Sequence, residues 1–390
     1  MDIKRRTVKR SLCLMLALWL TVYIFPAAAV HAVGPELPAK ATLLMEYSTG
    51  EVLSEKNAHD RMPCASITKV MTLLLVFEAI EAGTLRFDDV LTASAHAAGM
   101  GGSDIWLREG EQMNVDDLIK ACVVMSANDA AVVLAEAVSG TEDAFVARMN
   151  ERAQELGMQD TVFKNCNGLD EEGHLTSAYD VAVMSRALMA HERIYDYTLI
   201  WIDHVRGGDT QLVNTNKLVR SYSGIKGLKT GTTGAAGSCI TACAERNGMT
   251  LIAVVLGAEN TNDRFSAAAS LLDYGFSNWK TVTPECPELP VLPVRLGMAE
   301  QVWVTCGTPS DVLVSVSGQG GVTVELELPD ELEAPVEEGE QVGKLCVLLD
   351  GAVVEELPVT AGETVQKVTF RSAFLYLLRH FFCGREAPAA

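Results

Sequence analysis

The chain has 390 residues, 48% of them hydrophobic, enough apolar material for two folded units with terminal segments. Its formal net charge of −20 at pH 7 argues against nucleic acid as a partner, because phosphate binding needs a basic surface. Residues 1–32 carry five Lys and Arg against one Asp, so the remainder is more acidic still.

That opening segment reads as a secretory signal: a basic start from Lys4 to Arg10, an apolar run from Leu12 to Phe25, and small residues ending in Val30-His31-Ala32. An uncleaved membrane anchor is the alternative, and either one places the folded part outside the cytoplasm. Ten cysteines in an exported chain raise the question of disulfides. Cys13 lies in the signal, leaving an odd number, and the spacings match neither a small disulfide framework nor a zinc site. Pairing is therefore left open. Cys239 and Cys243 fall on one face of a predicted strand, where a free thiol packs as a small apolar group. The seven histidines form no H-E-x-x-H or related cluster, so neither a metal nor a cofactor is expected.

In chain order, residues 41–47 and 51–53 predict a hairpin turning at Ser48-Thr49-Gly50. Val70, Leu73, Leu74 and Phe77 recur at the spacing of a buried helical stripe, with Gly83 as its stop. Residues 84–113 read mostly as loop. Helices follow at 115–125, capped by Asn114, and at 130–138 before Gly140, separated by the polar corner Ser126-Ala127-Asn128. Two more helices, 143–157 and 178–190, flank a loop around Asn165-Cys166-Asn167-Gly168. Strands at 224–231, 238–245 and 249–257 come next, the last two joined by the Asn247-Gly248 turn signal, and a helix covers 264–276. Antiparallel strands with helices before and after them predict an α+β domain.

A boundary is expected over 279–293, where Pro284, Pro287, Pro290 and Pro293 cluster. Beyond it, period-two runs at 301–304, 311–316, 322–328, 341–349 and 352–359 predict a small all-β sandwich. In the last segment Phe370, Phe374, Leu377, Leu378 and Phe381 form an apolar face beside Arg371, Arg379, His380 and Arg385. It is too short and charged to span a bilayer; an in-plane membrane helix is expected, the alternative being a helix packed on the sandwich. The predicted organisation is a signal at 1–32, a catalytic domain at 33–278, a β-domain at 279–368 and an amphipathic tail at 369–390.

Ser66 and Lys69 lie three apart at the start of the first predicted helix, where their side chains share one face. A serine hydroxyl needs a base within hydrogen-bond reach to act as nucleophile, and Lys69 can be that base once its pKa falls. Unpaired N–H groups of the first turn suit an oxyanion. Ser-x-x-Lys alone is common, since a serine there can simply cap a helix. Two further motifs, Ser126-Ala127-Asn128 and Lys229-Thr230-Gly231, follow in the order seen in penicillin-recognising serine enzymes.

The wider stretches 63–69 and 228–239, with Asn214-Thr215-Asn216-Lys217-Leu218 and Asn167-Gly168-Leu169, closely resemble the low-molecular-mass penicillin-binding proteins that are serine-type D-alanyl-D-alanine carboxypeptidases. The resemblance spans roughly 38–278, and the acidic β-domain with its tail matches the family's second half. It implies a β-lactamase/DD-peptidase-like catalytic fold and removal of the terminal D-alanine from peptidoglycan stem peptides ending in D-Ala-D-Ala, with β-lactam antibiotics as covalent inhibitors. It implies attachment to the outer face of the cytoplasmic membrane. By the same resemblance Ser66 is the nucleophile, Lys69 the base and Ser126 the proton relay, positioned by Lys229. Asn128 contacts the acyl side, Thr230 and Arg264 hold the substrate carboxylate, Gly231 lets the substrate backbone approach, and Thr232 shares the oxyanion with Ser66. A β-lactamase would need a glutamate to activate the deacylating water; Glu171 and Glu172 are near, but no E-x-x-L-N arrangement occurs. A non-catalytic wall-binding protein is the other alternative, and transpeptidation is not separable from hydrolysis. Cys64, two residues from Ser66, suggests sensitivity of acylation to oxidants.

Overall fold

The computed structural model describes residues 34–318 and 321–383; the predicted signal lies outside the described residues. Strands β1 (Ala41–Glu46) and β2 (Val52–Lys56) form the expected hairpin. A 3-10 turn, Ala65–Thr68, leads into helix α1 (Lys69–Glu81). Helices α2 (Val115–Val124) and α3 (Asn128–Ser139) meet at residues 125–127. The Asn114 side chain caps α2 by accepting from the Asp117 N–H, and Gly140 ends α3 at φ +82°. Helices α4 (Glu142–Glu155) and α5 (Ala178–Met189) start on Thr141 and Ser177, whose hydroxyls accept from first-turn N–H groups. Strands β3 (Ile225–Thr233), β4 (Gly237–Arg246) and β5 (Met249–Ala258) precede α6 (Thr261–Asn278). The stretch at 84–113 is less loop-like than expected, with a two-stranded ladder between Val90–Thr92 and Gln112–Asn114 and one helical turn at Ala95–Ala98.

The antiparallel sheet has the order β2-β1-β5-β4-β3, which leaves β3 at an edge. Both faces are covered. Leu43, Met45, Ile252, Val254, Cys239 and Cys243 pack with α1 to α5, while Leu44, Leu251, Ala253 and Val255 pack against Phe265, Ala268, Leu271 and Leu272 of α6. Burial on two faces explains why residues 249–257 are apolar throughout instead of alternating. Each fully buried Leu or Phe contributes about 1.5–3 kcal/mol of transfer free energy to this arrangement.

The expected boundary contains a strand. β6 (Trp279–Val282) follows α6 directly and, beyond the proline-rich segment, come β7 (Leu292–Arg295), β8 (Gln301–Val302), β9 (Val304–Cys306) and β10 (Val312–Ser315). The all-β part is completed by β11 (Val322–Glu327), β12 (Leu332–Glu333), β13 (Gln341–Leu349) and β14 (Ala352–Ala361). Its ladders run β9-β14-β13-β11, β8-β7-β12 and β6-β10, around a shared core that includes Val294, Val302, Val314, Val347 and Val359. β10 joins the two halves: Val312 and Val314 enter the β-domain core, whereas Leu313 between them enters the core under α6. Trp279 stacks edge-on against Tyr274 at the same junction. Helix α7 (Phe370–Cys383) closes the described chain, and among the described residues no helix is long and apolar enough to cross a membrane.

Candidate active site

The chain reaches the site through Cys64 and turns at Ala65, which holds φ +54°, a left-handed conformation that costs an alanine of order 1–3 kcal/mol. That turn sets Ser66 over the start of α1. The Lys69 Nζ lies 3.0 Å from Ser66 Oγ, 2.5 Å from Asn128 Oδ1 and 2.7 Å from the Asn167 carbonyl oxygen. Two of these neighbours only accept. A neutral amine has two N–H groups and one lone pair, so it can donate to Asn128 and Asn167 and turn the lone pair to the serine hydroxyl. Lys69 is fully buried, and burial pushes its pKa down to about 8. The Asn128 amide is oriented from its other end, where Nδ2 donates to the Gly101 carbonyl at 2.6 Å.

Ser126 occupies the corner between α2 and α3 at φ +65°, and its Oγ accepts from Lys229 Nζ at 2.8 Å. Lys229 also donates to the Thr230 carbonyl and is held well below the usual lysine range, first by burial and then by the Lys69 charge. The Thr230 hydroxyl lies 2.7 Å from that of Thr215. Arg264 is buried on α6, not on the surface. Its Nη1 donates to the carbonyl of Gly231 and the hydroxyl of Thr232, and its Nε has no partner. A Cβ on Gly231 would lie 2.6 Å from the Cys64 carbonyl oxygen and 2.9 Å from the Ser66 nitrogen, so glycine is what lets β3 rest on the turn that carries Ser66.

The structure thus brings Ser66, Lys69, Ser126, Asn128, Lys229, Thr230, Gly231, Thr232 and Arg264 together beside the free edge of β3. Thr215 was missed. Its loop was visible as Asn214-Thr215-Asn216, but nothing in the spacing aims its hydroxyl at Thr230. Glu171 accepts from Asn165, and neither it nor Glu172 hydrogen-bonds Ser66 or Lys69. Cys64 is fully buried and its thiol is pushed up to about 12 by burial, which makes it inert and removes the reason to expect oxidant sensitivity. Cys64, Cys122, Cys166, Cys239, Cys243, Cys286, Cys306 and Cys346 are free, and among the described residues no cluster of His, Cys, Asp or Glu is arranged to hold a metal ion.

Serine beside a buried lysine, a second serine beside a second lysine, and an open strand edge define a serine acyl-transfer enzyme of the penicillin-recognising class. The family model for D-alanyl-D-alanine carboxypeptidase matches residues 28–260, and that for the penicillin-binding protein 5 C-terminal domain matches 290–367. D-alanyl-D-alanine carboxypeptidase DacF of Bacillus subtilis is 39% identical over 338 residues, 85% of this chain and 87% of that one. The crystal structure of penicillin-binding protein 5 from Haemophilus influenzae aligns with TM-score 0.72 at 29% identity, over 86% of this chain and all of that one. Penicillin-binding protein D2 from Listeria monocytogenes in an ampicillin-bound form aligns with TM-score 0.55 at 34% identity, over 62% of this chain and all of that one. The chain belongs to the D-alanyl-D-alanine carboxypeptidase family and is a serine-type peptidase. This favours the carboxypeptidase over the β-lactamase and the non-catalytic wall-binding protein.

Replacing Gly231 with Ala should push β3 off the turn that carries Ser66 and slow acylation by β-lactams by about 10²-fold, the usual cost of a 1 Å misplacement. Thermal stability should fall as well, by the ~1–3 kcal/mol that overpacking against backbone costs, and rapid-mixing kinetics with a chromogenic cephalosporin on the folded fraction read the loss.

Proposed function

We propose that Ser66 attacks the carbonyl of the peptide bond between the two D-alanines of a peptidoglycan stem peptide. Lys69 takes the hydroxyl proton as the Oγ–C bond forms, and the N–H groups of Ser66 and Thr232 hold the oxyanion, each worth about 3 kcal/mol or more. Ser126, positioned by Lys229, relays the proton held by Lys69 to the departing nitrogen as the C–N bond breaks, so that both groups return to their starting states. D-Alanine leaves and the acyl group remains as an ester on Ser66. Water then attacks that ester, and Oγ recovers its proton. The observation that carries this reading is the Lys69 amine 3.0 Å from Ser66 Oγ with both its other partners acceptors.

The substrate would extend along the open edge of β3, with its terminal carboxylate near Thr230, Thr215 and Arg264. Asn128 acts first on the base, through its contact with Lys69, and contacts the acyl side of the substrate only if its amide leaves Gly101. β-Lactams would acylate the same serine, in keeping with the ampicillin-bound relative. Intact mass after benzylpenicillin should show a persistent adduct on the wild type and none on Ser66→Ala, with D-alanine released from a D-Ala-D-Ala peptide by the wild type alone. No adduct from folded wild type would overturn the assignment, and a transient adduct with rapid loss of the drug would restore the β-lactamase.

We also read residues 1–32 as a signal and 369–390 as an in-plane anchor on the outer face of the cytoplasmic membrane. Phe370, Phe374 and Leu375 are exposed on α7, with Phe370 stacked on Phe374, rather than covered by the β-domain. Exposed aromatic and aliphatic side chains on a helix with a basic residue, Arg371, suit an acidic lipid surface. Vesicles containing phosphatidylglycerol should sediment with the chain and not with one ending at residue 368; equal sedimentation would contradict the anchor.

A further inference from the structure

Behind the nucleophile turn lies a set of hydrogen bonds that the catalytic motifs do not include. The His174 Nδ1 accepts from the Lys164 N–H at 3.2 Å, so the ring proton of the neutral imidazole sits on Nε2. Nε2 is 2.8 Å from the Thr68 Oγ1 and donates to it. The Thr68 hydroxyl must then send its own proton elsewhere. It donates to the Ala65 carbonyl at 2.9 Å, while the Cys64 thiol at 3.4 Å reaches the remaining lone pair. His174 and Thr68 are buried, and burial holds the imidazole down at about 4 despite the facing Glu171 and Asp170 and with the help of Lys164. The ring is therefore neutral across the working range of pH. Its backbone is held beside the nucleophile segment by the ladder between Met62 and Thr176.

The carbonyl at the end of this chain belongs to the same peptide unit as the Ser66 N–H. The unit is planar, so fixing the direction of its C=O fixes the opposite direction of its N–H. A hydrogen bond on the oxygen also polarises the unit and strengthens the N–H as a donor. Two further contacts press on the same peptide: a Cβ on Gly168 would collide with the Ala65 oxygen, and Gly231 abuts the Ser66 nitrogen. The unit needs such support, because Ala65 holds a left-handed conformation that it leaves readily if released.

We propose that His174 and Thr68 are positioning residues that aim the Ser66 N–H at the oxyanion by holding the Ala65 carbonyl. This rests on Ser66 being the nucleophile. It accounts for a threonine between Ser66 and Lys69, at a position where the helix pattern asks only for a buried side chain, and for a buried histidine that touches no substrate-facing group.

The test compares Thr68→Val, Thr68→Ser, His174→Gln and His174→Leu in the full chain. Rapid-mixing kinetics with benzylpenicillin separate the acylation step from initial binding, and affinity for a boronic acid analogue of D-alanine reports the tetrahedral state. Thr68→Val should slow acylation by about 10²-fold, as expected when one oxyanion donor is misdirected, with initial binding unchanged and boronate affinity falling in parallel. Thr68→Ser keeps the hydroxyl and should restore both. His174→Gln, which can still donate to Thr68, should fall between wild type and His174→Leu. Wild-type acylation by Thr68→Val would overturn the relay, as would a slow variant whose boronate affinity is unchanged. Should Thr68→Val fail to fold, equal acylation by His174→Gln and His174→Leu would overturn it instead. A wild type without a Ser66-dependent adduct would be a failure of the nucleophile assignment, seen before any relay variant is compared.

Discussion

Two lysines and an arginine are buried in one site with no carboxylate of the described residues within ion-pair distance of any of them, and the rest of the structure answers to that constraint. Burying an unpaired ammonium is costly, so the pKa of such a group falls toward neutrality. For most proteins this would be a defect. Here the neutral amine is the useful form. Burial lowers Lys69 to about 8 against acceptor oxygens that favour its protonated form, which brings the uncharged amine within reach beside Ser66, while Lys229 is lowered first by burial and then by the charge on Lys69. A glutamate in place of Asn128 would relieve the cost of burial and remove the base.

Holding such a site in place requires a scaffold on every side. α1 supplies the lysine and is itself enclosed, with every side chain from Lys69 to Phe77 buried. The α2–α3 corner supplies Ser126 and Asn128, and its position is fixed by the Asp129 carboxylate, which accepts from the N–H groups of Ile105 and Leu107. β3 closes the third side, kept at the sheet edge by the order of the strands and in contact by Gly231. Of the eight non-glycine residues with left-handed backbones among the described residues, Ala65 and Ser126 are the two that carry the chain into the site. The β-domain stands apart from this chemistry and is tied in through Leu313 and Trp279.

Much of this was legible in the residues. The i, i+3 spacing of Ser66 and Lys69, the caps at Asn114 and Gly140, and the Asn247-Gly248 turn each express a local rule, and local rules survive folding. What was not legible came from contacts between distant segments. Trp279–Val282 is four residues beside a run of prolines, and only its pairing with Val312–Ser315 makes it a strand. Arg264 looks like any polar residue in the first turn of a helix until the sheet covers it. Thr215 and His174 approach from loops without periodicity, and Thr68 reads as an ordinary helix position. Their roles depend on where a hydroxyl proton points, and sequence spacing carries no such direction.

The claim most exposed to experiment is the neutral lysine. Acylation of the wild type by benzylpenicillin should be followed from pH 5 to pH 10.5 on the full chain. With Lys69 as base and its pKa near 8, the rate should climb about tenfold per unit at low pH and level off above the titration. A rate already flat across this range, as a carboxylate base titrating near pH 4–5 would give, would mean that another group takes the serine proton.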